Sequence, residues 1–453
     1  MVITNIALGL VGLGVVVFVH ELGHFIAARL AGIDVEAFSI GWGKPILKKK
    51  VGEVEYRLGM FPVGGYCKMR GHDEIKGAIE TDSDKIEPTK GTFYGASPVR
   101  RILVCFAGPL FNLVFAAIVL SIIWGVGFEF NTLENRIVLA SELTGAVSPA
   151  DEAGLRSGDR IVEINGRQTD FFHEVREGIA MNPERLLALT VDRDGETVSL
   201  SVRPDLDRNT GAGVIGVMPW TDTVVAHIVP DSDAALAGLL PGDRIVRMND
   251  IEVINTVDVM RVLGEGPAHI TVEYVRAGAV GRAELLVTQA GAGLGIGWPR
   301  VQFRTPRLSP PAALVRGVQE TWRTLAVSIH SLSLLFRGIN LAEAVSGPLR
   351  ITYMVGDVAA AGFGHSGIMG LLRSMADFLA LISIAIAVMN LLPLPVLDGG
   401  QIILYTVELI RGKPTHPRAL RAFQTAGVVL IFGLMLFALF GDIMFLGGRI
   451  GSG

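Results

Sequence analysis

The strongest constraint on this chain is the clustering of its apolar residues into four segments. Residues 102–127, 378–397 and 422–440 contain no charged residue, and residues 6–19 contain only apolar residues and glycine. Each segment approaches the ~20 residues that an α-helix needs to cross a bilayer, provided that the first continues past Val19. Long stretches elsewhere have an ordinary soluble composition. The pattern predicts a multi-pass membrane protein with a large soluble insert.

The overall composition excludes other classes of protein. The 453 residues are 50% hydrophobic and only 19% charged, against about 25% charged in a typical soluble domain. A disordered chain is therefore excluded. The net charge of −4 leaves no basic excess for phosphates, so no nucleic-acid partner is expected. The two cysteines, Cys67 and Cys105, lie outside the insert, so no disulfide framework holds it.

The first apolar segment could instead belong to a signal peptide. It has no basic region before it and no small-residue cleavage pattern after it, so we expect a retained helix. Basic residues concentrate in residues 31–101 and 411–421, whereas residues 1–19 have none. Because basic loops stay in the cytoplasm, both termini and the insert, residues 128–371, are predicted to lie outside. In a double-membrane bacterium the insert would be periplasmic.

An internal repeat divides the insert. AGLRSGDRIVEING at residues 153–166 returns as AGLLPGDRIVRMND at residues 237–250, and GAGVIGVMP at residues 211–219 returns as GAGLGIGWP at residues 291–299. Short alternating runs between Gly and Asp turns predict two β-rich domains. The motif resembles the circularly permuted bacterial PDZ domain. In that fold the glycine-rich segment holds a peptide carboxylate through backbone N–H groups, although these glycines could also only make turns. The candidate glycines are Gly211, Gly213, Gly216, Gly291, Gly293 and Gly295.

Residues 304–370 are harder to interpret. Residues 324–336 are apolar but short, and they include His330. They predict an amphipathic helix at the membrane surface or against the repeats. A fifth span is the alternative.

Residues 20–24 read HELGH, which is the HExxH motif. On a helix, His20 and His24 share one face and can reach one metal ion. Glu21 lies beside them, where it could take the proton of a water whose pKa Zn²⁺ has lowered. Charged and polar groups at the end of a membrane helix are costly and usually functional. The alternative is a polar helix end at the membrane interface.

Zinc with one open position needs a third protein ligand, and Asp398 is the best candidate. It follows the third apolar segment and precedes two glycines. His20 lies about 25 Å along a helix from Ile3, and Asp398 about 30 Å from Phe378 if that segment is helical. Both groups then reach the cytoplasmic side. The alternative is that Asp398 lies in an ordinary turn at the C-terminal end of a helix and binds no metal. The remaining histidines fall in the insert or in loops: His72, His173, His227, His269, His330, His365 and His416.

HExxH in a first span with N-x-x-P-x-P-x-x-D-G at residues 390–399 resembles the double signature of the site-2 protease family. AGPLFN at residues 107–112 and VSGPL at residues 345–349 extend the resemblance. It implies an intramembrane zinc metalloprotease (EC 3.4.24.-) with one Zn²⁺ per chain. The implied roles are zinc ligands His20, His24 and Asp398, general base Glu21, and substrate-holding Asn390, Pro393 and Pro395.

Residues 54–70 alternate and turn around Pro62 and Gly64-Gly65. They look like the family's membrane-dipping β-hairpin, whose exposed edge could pair with an extended substrate. An ordinary cytoplasmic hairpin is the alternative. The candidate substrate contacts are Gly64, Gly65, Tyr66 and Met69.

The expected fold therefore has four transmembrane helices, a membrane re-entrant β-hairpin and two tandem circularly permuted PDZ domains, β-rich and of the α+β type. The expected boundaries are a first span at 1–31, a cytoplasmic-side region at 32–99, a second span at 100–127, PDZ domains at 128–220 and 221–305, a periplasmic amphipathic helical linker at 306–371, a third span at 372–400, a cytoplasmic loop at 401–421 and a fourth span at 422–447.

The resemblance implies hydrolysis of peptide bonds within transmembrane segments by Glu-assisted attack of water at zinc. The implied substrates are membrane proteins already trimmed outside, namely an anti-sigma factor in envelope stress signalling and remnant signal peptides. The PDZ pair would act as a size filter and could bind peptide C-termini. The implied location is the bacterial inner membrane, with the active site toward the cytoplasm.

Two alternatives remain. One is a membrane-anchored PDZ scaffold with a non-catalytic structural zinc site, which would have no use for Glu21. The other is a family member that acts on a pheromone or a sporulation factor, against which the two PDZ copies argue.

Overall fold

A computed structural model describes residues 2–71, 89–287, 294–335 and 348–450. By its internal contacts the chain divides into two compact units. The insert unit contains Glu129–Thr305, and the membrane unit is built from the described parts of Met1–Phe128, Pro306–Ser333 and Asn340–Gly453.

Long apolar helices form the membrane unit. Its described helices are α1 (Val2–Leu30), α2 (Pro98–Val126), α8 (Pro310–Leu335), α9 (Pro348–Asn390), α10 (Asp398–Arg411) and α11 (Pro417–Ile450), with α3–α7 in the insert unit. Among the described residues, four stretches are long and apolar enough to cross a membrane: Leu10–Leu30, Pro98–Val126, Gly367–Asn390 and Pro417–Asp442. The four predicted spans are thus confirmed as apolar helices of sufficient length.

Helix α1 packs against both α2 and α9. At Gly23 the approach to α2 is so close that a Cβ atom would overlap the carbonyl oxygen of Ala107. On the α9 side, a Cβ at Gly12 would lie 3.0 Å from Cδ2 of Leu379. Small residues allow membrane helices to approach in this way, and here they place polar groups of α1 directly against α2.

The third apolar segment differs from its prediction. The expected helix over residues 372–400 ends at Asn390, and residues 391–397 are irregular. The reason is that Pro393 and Pro395 lack the N–H groups that a helix needs and clash with the preceding turn. Asp398 therefore does not extend the span but is the first residue of α10.

Helices also occupy the segment expected as a cytoplasmic loop and the segment expected as a helical linker. Much of the expected cytoplasmic loop, residues 401–421, belongs to α10, which continues to Arg411. The expected linker, residues 306–371, contains α8 and the first half of α9. Helix α8 includes the described part of the predicted amphipathic segment.

The expected hairpin over residues 54–70 is wrong in its pairing. The two strands are β1 (Val35–Val51) and β2 (Val54–Met69), and the chain turns between them at Gly52. Both strands bend, so that residues 37–40 pair on one side with residues 65–68 and on the other with residues 55–58. The two halves of β2 thus lie on opposite sides of β1 instead of pairing with each other.

The insert unit repeats one arrangement of strands. Its described elements are β3 (Glu129–Thr132), β4 (Ile137–Leu139), α3 (Ser141–Thr144), α4 (Pro149–Glu152), β5 (Arg160–Ile164), β6 (Arg167–Gln168), α5 (Phe172–Ala180), β7 (Leu187–Arg193), β8 (Glu196–Val202), β9 (Asp205–Leu206), β10 (Gly213–Val214), β11 (Val217–Pro219), β12 (His227–Ile228), α6 (Asp233–Leu236), β13 (Arg244–Met248), β14 (Ile251–Glu252), α7 (Thr256–Gly264), β15 (His269–Arg276), β16 (Ala279–Leu286), β17 (Ile296–Gly297) and β18 (Val301–Arg304). One sheet has the strand order β6-β5-β7-β8, and another has the equivalent order β14-β13-β15-β16.

The same ion pair stabilises each copy. Arg193 donates to the buried carboxylate of Asp159, and Arg276 donates in the same way to Asp243, with nitrogen-to-oxygen distances of 2.7–2.8 Å. The Arg276 guanidinium holds the pKa of the Asp243 carboxyl below its usual range. The repeat seen in the sequence is therefore a repeat of tertiary contacts as well.

A buried ion pair joins α2 to α10. The guanidinium of Arg101 donates to both carboxylate oxygens of Glu408 at 3.1 and 2.7 Å and lies 4.7 Å from the ring centroid of Tyr405. Removing one partner of such a pair leaves an uncompensated buried charge. The pair thus fixes α10, which begins at Asp398, against α2.

We predict that Glu408→Gln lowers the free energy of unfolding by about 3–5 kcal/mol, because the buried charge of Arg101 is left without a counter-charge. The double variant Arg101→Met, Glu408→Leu should recover most of that loss, since no charge stays buried. Chemical unfolding of the detergent-solubilised protein would measure both. A double variant that is less stable than the single variant would contradict this interpretation.

Candidate metal centre

Helix α1 brings two histidines and a glutamate to one buried position. His20 and His24 lie one turn apart, are only 7% and 8% exposed, and place their Nε2 atoms 3.1 Å from each other. Their rings meet edge to face, with centroids 4.8 Å apart. Two imidazole nitrogens therefore point at one small region of space.

Asp398 completes the cluster from the start of α10. Its carboxylate oxygens lie 3.2 Å from Nε2 of His20 and 3.5 Å from Nε2 of His24. The irregular segment before it folds tightly against the helix start, because a Cβ atom at Gly399 or Gly400 would overlap backbone carbonyl groups of that segment. The two glycines after Asp398 are thus needed to bring its carboxylate to the histidines.

Helix α2 forms the opposite wall of the cluster. The ring of His24 donates from Nδ1 to the carbonyl oxygen of Val104 at 2.8 Å, which leaves the Nε2 lone pair directed at the cluster. A Cβ atom at Gly108 would overlap Nε2 of His24 and would lie 2.8 Å from Cε1 of His20. The histidine rings therefore occupy the space that any larger residue at position 108 would fill.

The three side chains suit a metal ion such as zinc. One ligand atom from each of His20, His24 and Asp398 lies within 4.8 Å of the others. Among the described residues, the buried Oδ2 of Asp398 has no hydrogen-bond partner, so its approach to His20 is not a hydrogen bond. Two imidazoles and a carboxylate are a common zinc donor set that leaves a fourth position open. The donor set and the unsatisfied oxygen both fit the ion.

Glu21 lies between this cluster and the edge of β2. Its carboxylate faces the backbone N–H of Cys67, and a Cβ atom at Gly65 would lie 3.2 Å from its Cγ. The second half of β2, residues 65–69, therefore runs beside the cluster. Gly65 allows the strand to approach so closely because it has no side chain.

The other expected substrate residues are distributed around the centre. The amide of Asn390 lies 3.4 Å from Nε2 of His20, and Pro393 and Pro395 lie in the irregular segment that follows. Met69 is buried, and the Tyr66 hydroxyl accepts from Arg57 at 3.0 Å. Gly64 has a φ of +84° and lies against the Trp42 ring.

The candidate PDZ glycines belong to the insert unit. Gly211, Gly216 and Gly295 adopt positive φ angles of 73–78°, and a Cβ atom at Gly213 would overlap the carbonyl oxygen of Ile179. These four positions thus require glycine for backbone reasons. Gly291 and Gly293 lie outside the described residues.

A cavity of about 380 Å³ opens next to the cluster. Its lining includes His24 and Asp398, the strand residues Cys67 and Met69, and Cys105 of α2. The cavity is large enough for one or two side chains of a bound polypeptide. It gives the cluster access to a ligand along the edge of β2.

Sequence reasoning assigned no role to the wall formed by α2. Val104, Gly108 and Asn112 follow one another at intervals of four residues, and each contacts a histidine or leaves room for one. The available signal was the spacing Gly-x-x-x-Asn within a span that is otherwise apolar. The ion pair between Arg101 and Glu408 was also missed, since no local pattern links residues so distant in sequence.

Comparison with known proteins agrees with this site. The model of peptidase family M50 matches residues 8–434. The chain belongs to peptidase family M50, the site-2 protease family. The predicted resemblance is thereby confirmed.

Relatives match over nearly their whole length. The chain is 35% identical over 447 residues to a candidate zinc metalloprotease of Treponema pallidum (strain Nichols), covering 98% of this chain and 99% of the relative. It is 29% identical over 465 residues to the regulator of sigma-E protease RseP of Escherichia coli (strain K12), covering 97% and 98%. The family and these names support a membrane-embedded zinc metallopeptidase.

We predict that Gly108→Ala weakens zinc binding at least tenfold, because the added methyl group would overlap the ring of His24. Gly125→Ala on the same helix is the matched control, since its Cβ would make only an ordinary contact of 3.6 Å with Ala313. Competition with a chelator on the purified protein would measure both affinities. Equal zinc affinity of the two variants would show that Gly108 does not form part of the site.

Proposed function

We propose that this chain is an endopeptidase that hydrolyses peptide bonds within the membrane-spanning segments of other proteins. His20, His24 and Asp398 would hold one zinc ion, and Glu21 would act as general base. The observation that carries the proposal is the convergence of these four side chains in a buried cluster that opens into a cavity. Membership of family M50 supports the same reaction class.

The residues of the site have separable roles in such a reaction. Zinc, when bound, would polarise the scissile carbonyl group and lower the pKa of the attacking water. The Glu21 carboxylate would take the proton from that water and pass it to the departing amine. The Cys67 N–H that faces this carboxylate would orient it. Asn390, whose amide lies 3.4 Å from Nε2 of His20, would help to hold the substrate beside the metal.

The edge of β2 would hold the substrate in an extended form. Peptide bonds in a helix are sheltered by intrahelical hydrogen bonds, so a membrane span must unwind before it is cut. Residues 65–69 run past Glu21, and Cys67 and Met69 line the cavity. Addition of a strand to such an edge is a general mode of peptide binding. We therefore assign this edge as the substrate platform and expect the β1–β2 hairpin to dip into the membrane.

Pro393 and Pro395 would assist the same task, because the segment that they keep non-helical lies next to the metal ligand Asp398. Together with residues 65–69 they would bound the channel that an unwound segment occupies. Gly64, Gly65, Tyr66 and Met69 would contribute the substrate-facing part of the strand.

The insert unit would select the substrates. Two sheets with equivalent strand order and the required glycines after β9 and before β17 support a pair of circularly permuted PDZ domains. They would exclude untrimmed membrane proteins by size and could bind peptide C-termini. The distribution of basic residues supports a periplasmic position for these domains and a position toward the cytoplasm for the metal site. The name of the Escherichia coli relative supports an anti-sigma factor as one substrate, with remnant signal peptides as another.

A non-catalytic scaffold with a structural zinc site would explain the cluster but not Glu21. A carboxylate beside the ligands, with access to a cavity, contributes nothing to a closed structural site.

We predict that Glu21→Gln lowers the cleavage rate of a tagged transmembrane substrate by about 10²–10⁴-fold, the usual contribution of a general base. Zinc content should stay at that of the wild type, because the metal ligands are intact. The control is Glu53→Gln, which changes an exposed residue at the hairpin turn and should cleave normally. Cleavage by Glu21→Gln at the wild-type rate would refute the assigned base.

The substrate platform can be tested with the native thiol of Cys67. In a Glu21→Gln, Cys105→Ala background, single cysteines placed along the substrate span would be oxidised for disulfide formation with Cys67. A strand paired with β2 should crosslink at alternate positions, since side chains of a strand alternate with period two. Crosslinks that recur every three to four residues would show a helical substrate and contradict the proposal. Cys67→Ser should abolish the products.

A further inference from the structure

The two histidines of the metal centre both turn Nδ1 toward α2, but they meet different partners there. His24 donates to the backbone carbonyl of Val104. Nδ1 of His20 instead lies 3.4 Å from the side-chain amide nitrogen of Asn112. Asn112 is completely buried, with 0% exposure, inside an apolar span where an amide side chain is costly. The cost of burying this amide indicates that Asn112 makes a contact that the site requires.

The positions of these groups follow from helix geometry. Val104, Gly108 and Asn112 lie on one face of α2 at intervals of four residues. Because the higher-numbered histidine meets Val104 and the lower-numbered one meets Asn112, α1 and α2 run antiparallel at this point. Gly108 lies between them and leaves room for both rings. Asn112 is thus the residue of this face that reaches His20.

The tautomer of His20 decides whether it can bind a metal. His24 carries its proton on Nδ1, so its Nε2 is an acceptor that lies 3.1 Å from Nε2 of His20. Nδ1 of His20 faces the amide nitrogen of Asn112. That arrangement suits a ring with its proton on Nε2, which accepts from Asn112 at Nδ1. A ring that binds zinc through Nε2 must carry the proton on Nδ1 and then needs an acceptor at the same place.

The side-chain amide of Asn112 can supply that acceptor through its Oδ1 atom. Among the described residues, its buried Oδ1 has no hydrogen-bond partner. A half turn of the amide group exchanges Oδ1 and Nδ2, so that Oδ1 can accept from Nδ1–H of His20. An amide offers both a donor and an acceptor, whereas a carboxylate only accepts and an apolar side chain does neither.

The hydrogen bond from Ser383 of α9 reaches the backbone carbonyl of Asn112 and not its side-chain amide. Its hydroxyl donates to the carbonyl oxygen of Asn112 at 2.9 Å, and the contact is buried. Asn390 is differently placed, because its amide approaches Nε2 of His20, on the metal side of the ring. Asn112 is therefore the residue that can hydrogen-bond to Nδ1 of His20.

We propose that Asn112 is a positioning residue that sets the tautomer of His20. Its amide donates to Nδ1 when the centre is metal-free and accepts from Nδ1–H when Nε2 binds zinc. The inference rests on the proposed role of His20 as a zinc ligand. Hydrogen-bond partners of metal-bound histidines usually change metal affinity by about 10–100-fold.

The test compares the zinc affinity of full-length Asn112→Leu, Asn112→Asp and Ser383→Ala, by chelator competition on purified protein. Asn112→Leu keeps the volume but offers no acceptor, and it should bind zinc about 10–100-fold more weakly. Asn112→Asp accepts from Nδ1–H and should bind at least as tightly as the wild type. Ser383→Ala removes a neighbouring buried hydrogen bond that does not touch His20, and its affinity should change by less than about threefold.

A second readout separates positioning from packing. With Co²⁺ in place of zinc, the visible absorption spectrum of Asn112→Asp should match that of the wild type, whereas Asn112→Leu should shift it. Wild-type zinc affinity in Asn112→Leu would overturn the inference. So would an Asn112→Asp variant that binds zinc more weakly than the wild type, a result that decides the question even if Asn112→Leu does not fold. A failure of the proposed function would give a different result. If His20 is not a zinc ligand, zinc should bind equally well to the wild type and to His20→Ala.

Discussion

The close contact between α1 and α2 is the constraint on which the rest of the site depends. Histidines and carboxylates inside an apolar helical unit are costly unless each finds a partner. Gly23 and Gly108 have no side chains and so allow the helices to meet. As a result His24 reaches a backbone carbonyl of α2 and His20 reaches Asn112. Close packing thus turns a motif on one helix into a site with defined ring orientations.

The second requirement is an interruption of regular structure at the candidate metal site. Helix α9 ends at Asn390, and the seven residues that follow carry Asp398 back to the histidines. Val396, in this segment, has a φ of +77°, which is strained for a β-branched residue. The buried pair of Arg101 and Glu408 holds α10 in place. The ion pair on α10 therefore stabilises the strained segment that precedes this helix.

The sequence predicted the parts of this protein that depend on local pattern. Apolar runs of sufficient length located the four helices, and HExxH with N-x-x-P-x-P-x-x-D-G located the residues that the structure brings together. Helix spacing alone implies that His20 and His24 share a face. The third span was expected to continue to residue 400, whereas the helix ends at Asn390, before Pro393 and Pro395.

Features that depend on contacts between distant segments were not predictable in the same way. The turn signals at Pro62 and Gly64 predict a hairpin within residues 54–70, whereas the two halves of β2 pair with opposite sides of β1. No local pattern shows that Arg101 will meet Glu408, 307 residues later. Asn112 could be seen as a polar residue in an apolar span, but its partner became visible only in three dimensions.

The central claim is that His20, His24 and Asp398 hold a single zinc ion. The most direct measurement is zinc X-ray absorption combined with metal analysis, on the purified full-length wild type and on Asp398→Ala. We predict one zinc per wild-type chain, with two imidazole nitrogens at about 2.0–2.1 Å and a carboxylate oxygen. In Asp398→Ala, the metal content should fall to a small fraction. An unchanged zinc content and coordination shell in Asp398→Ala, or a wild-type shell that contains sulfur from a cysteine, would contradict the account.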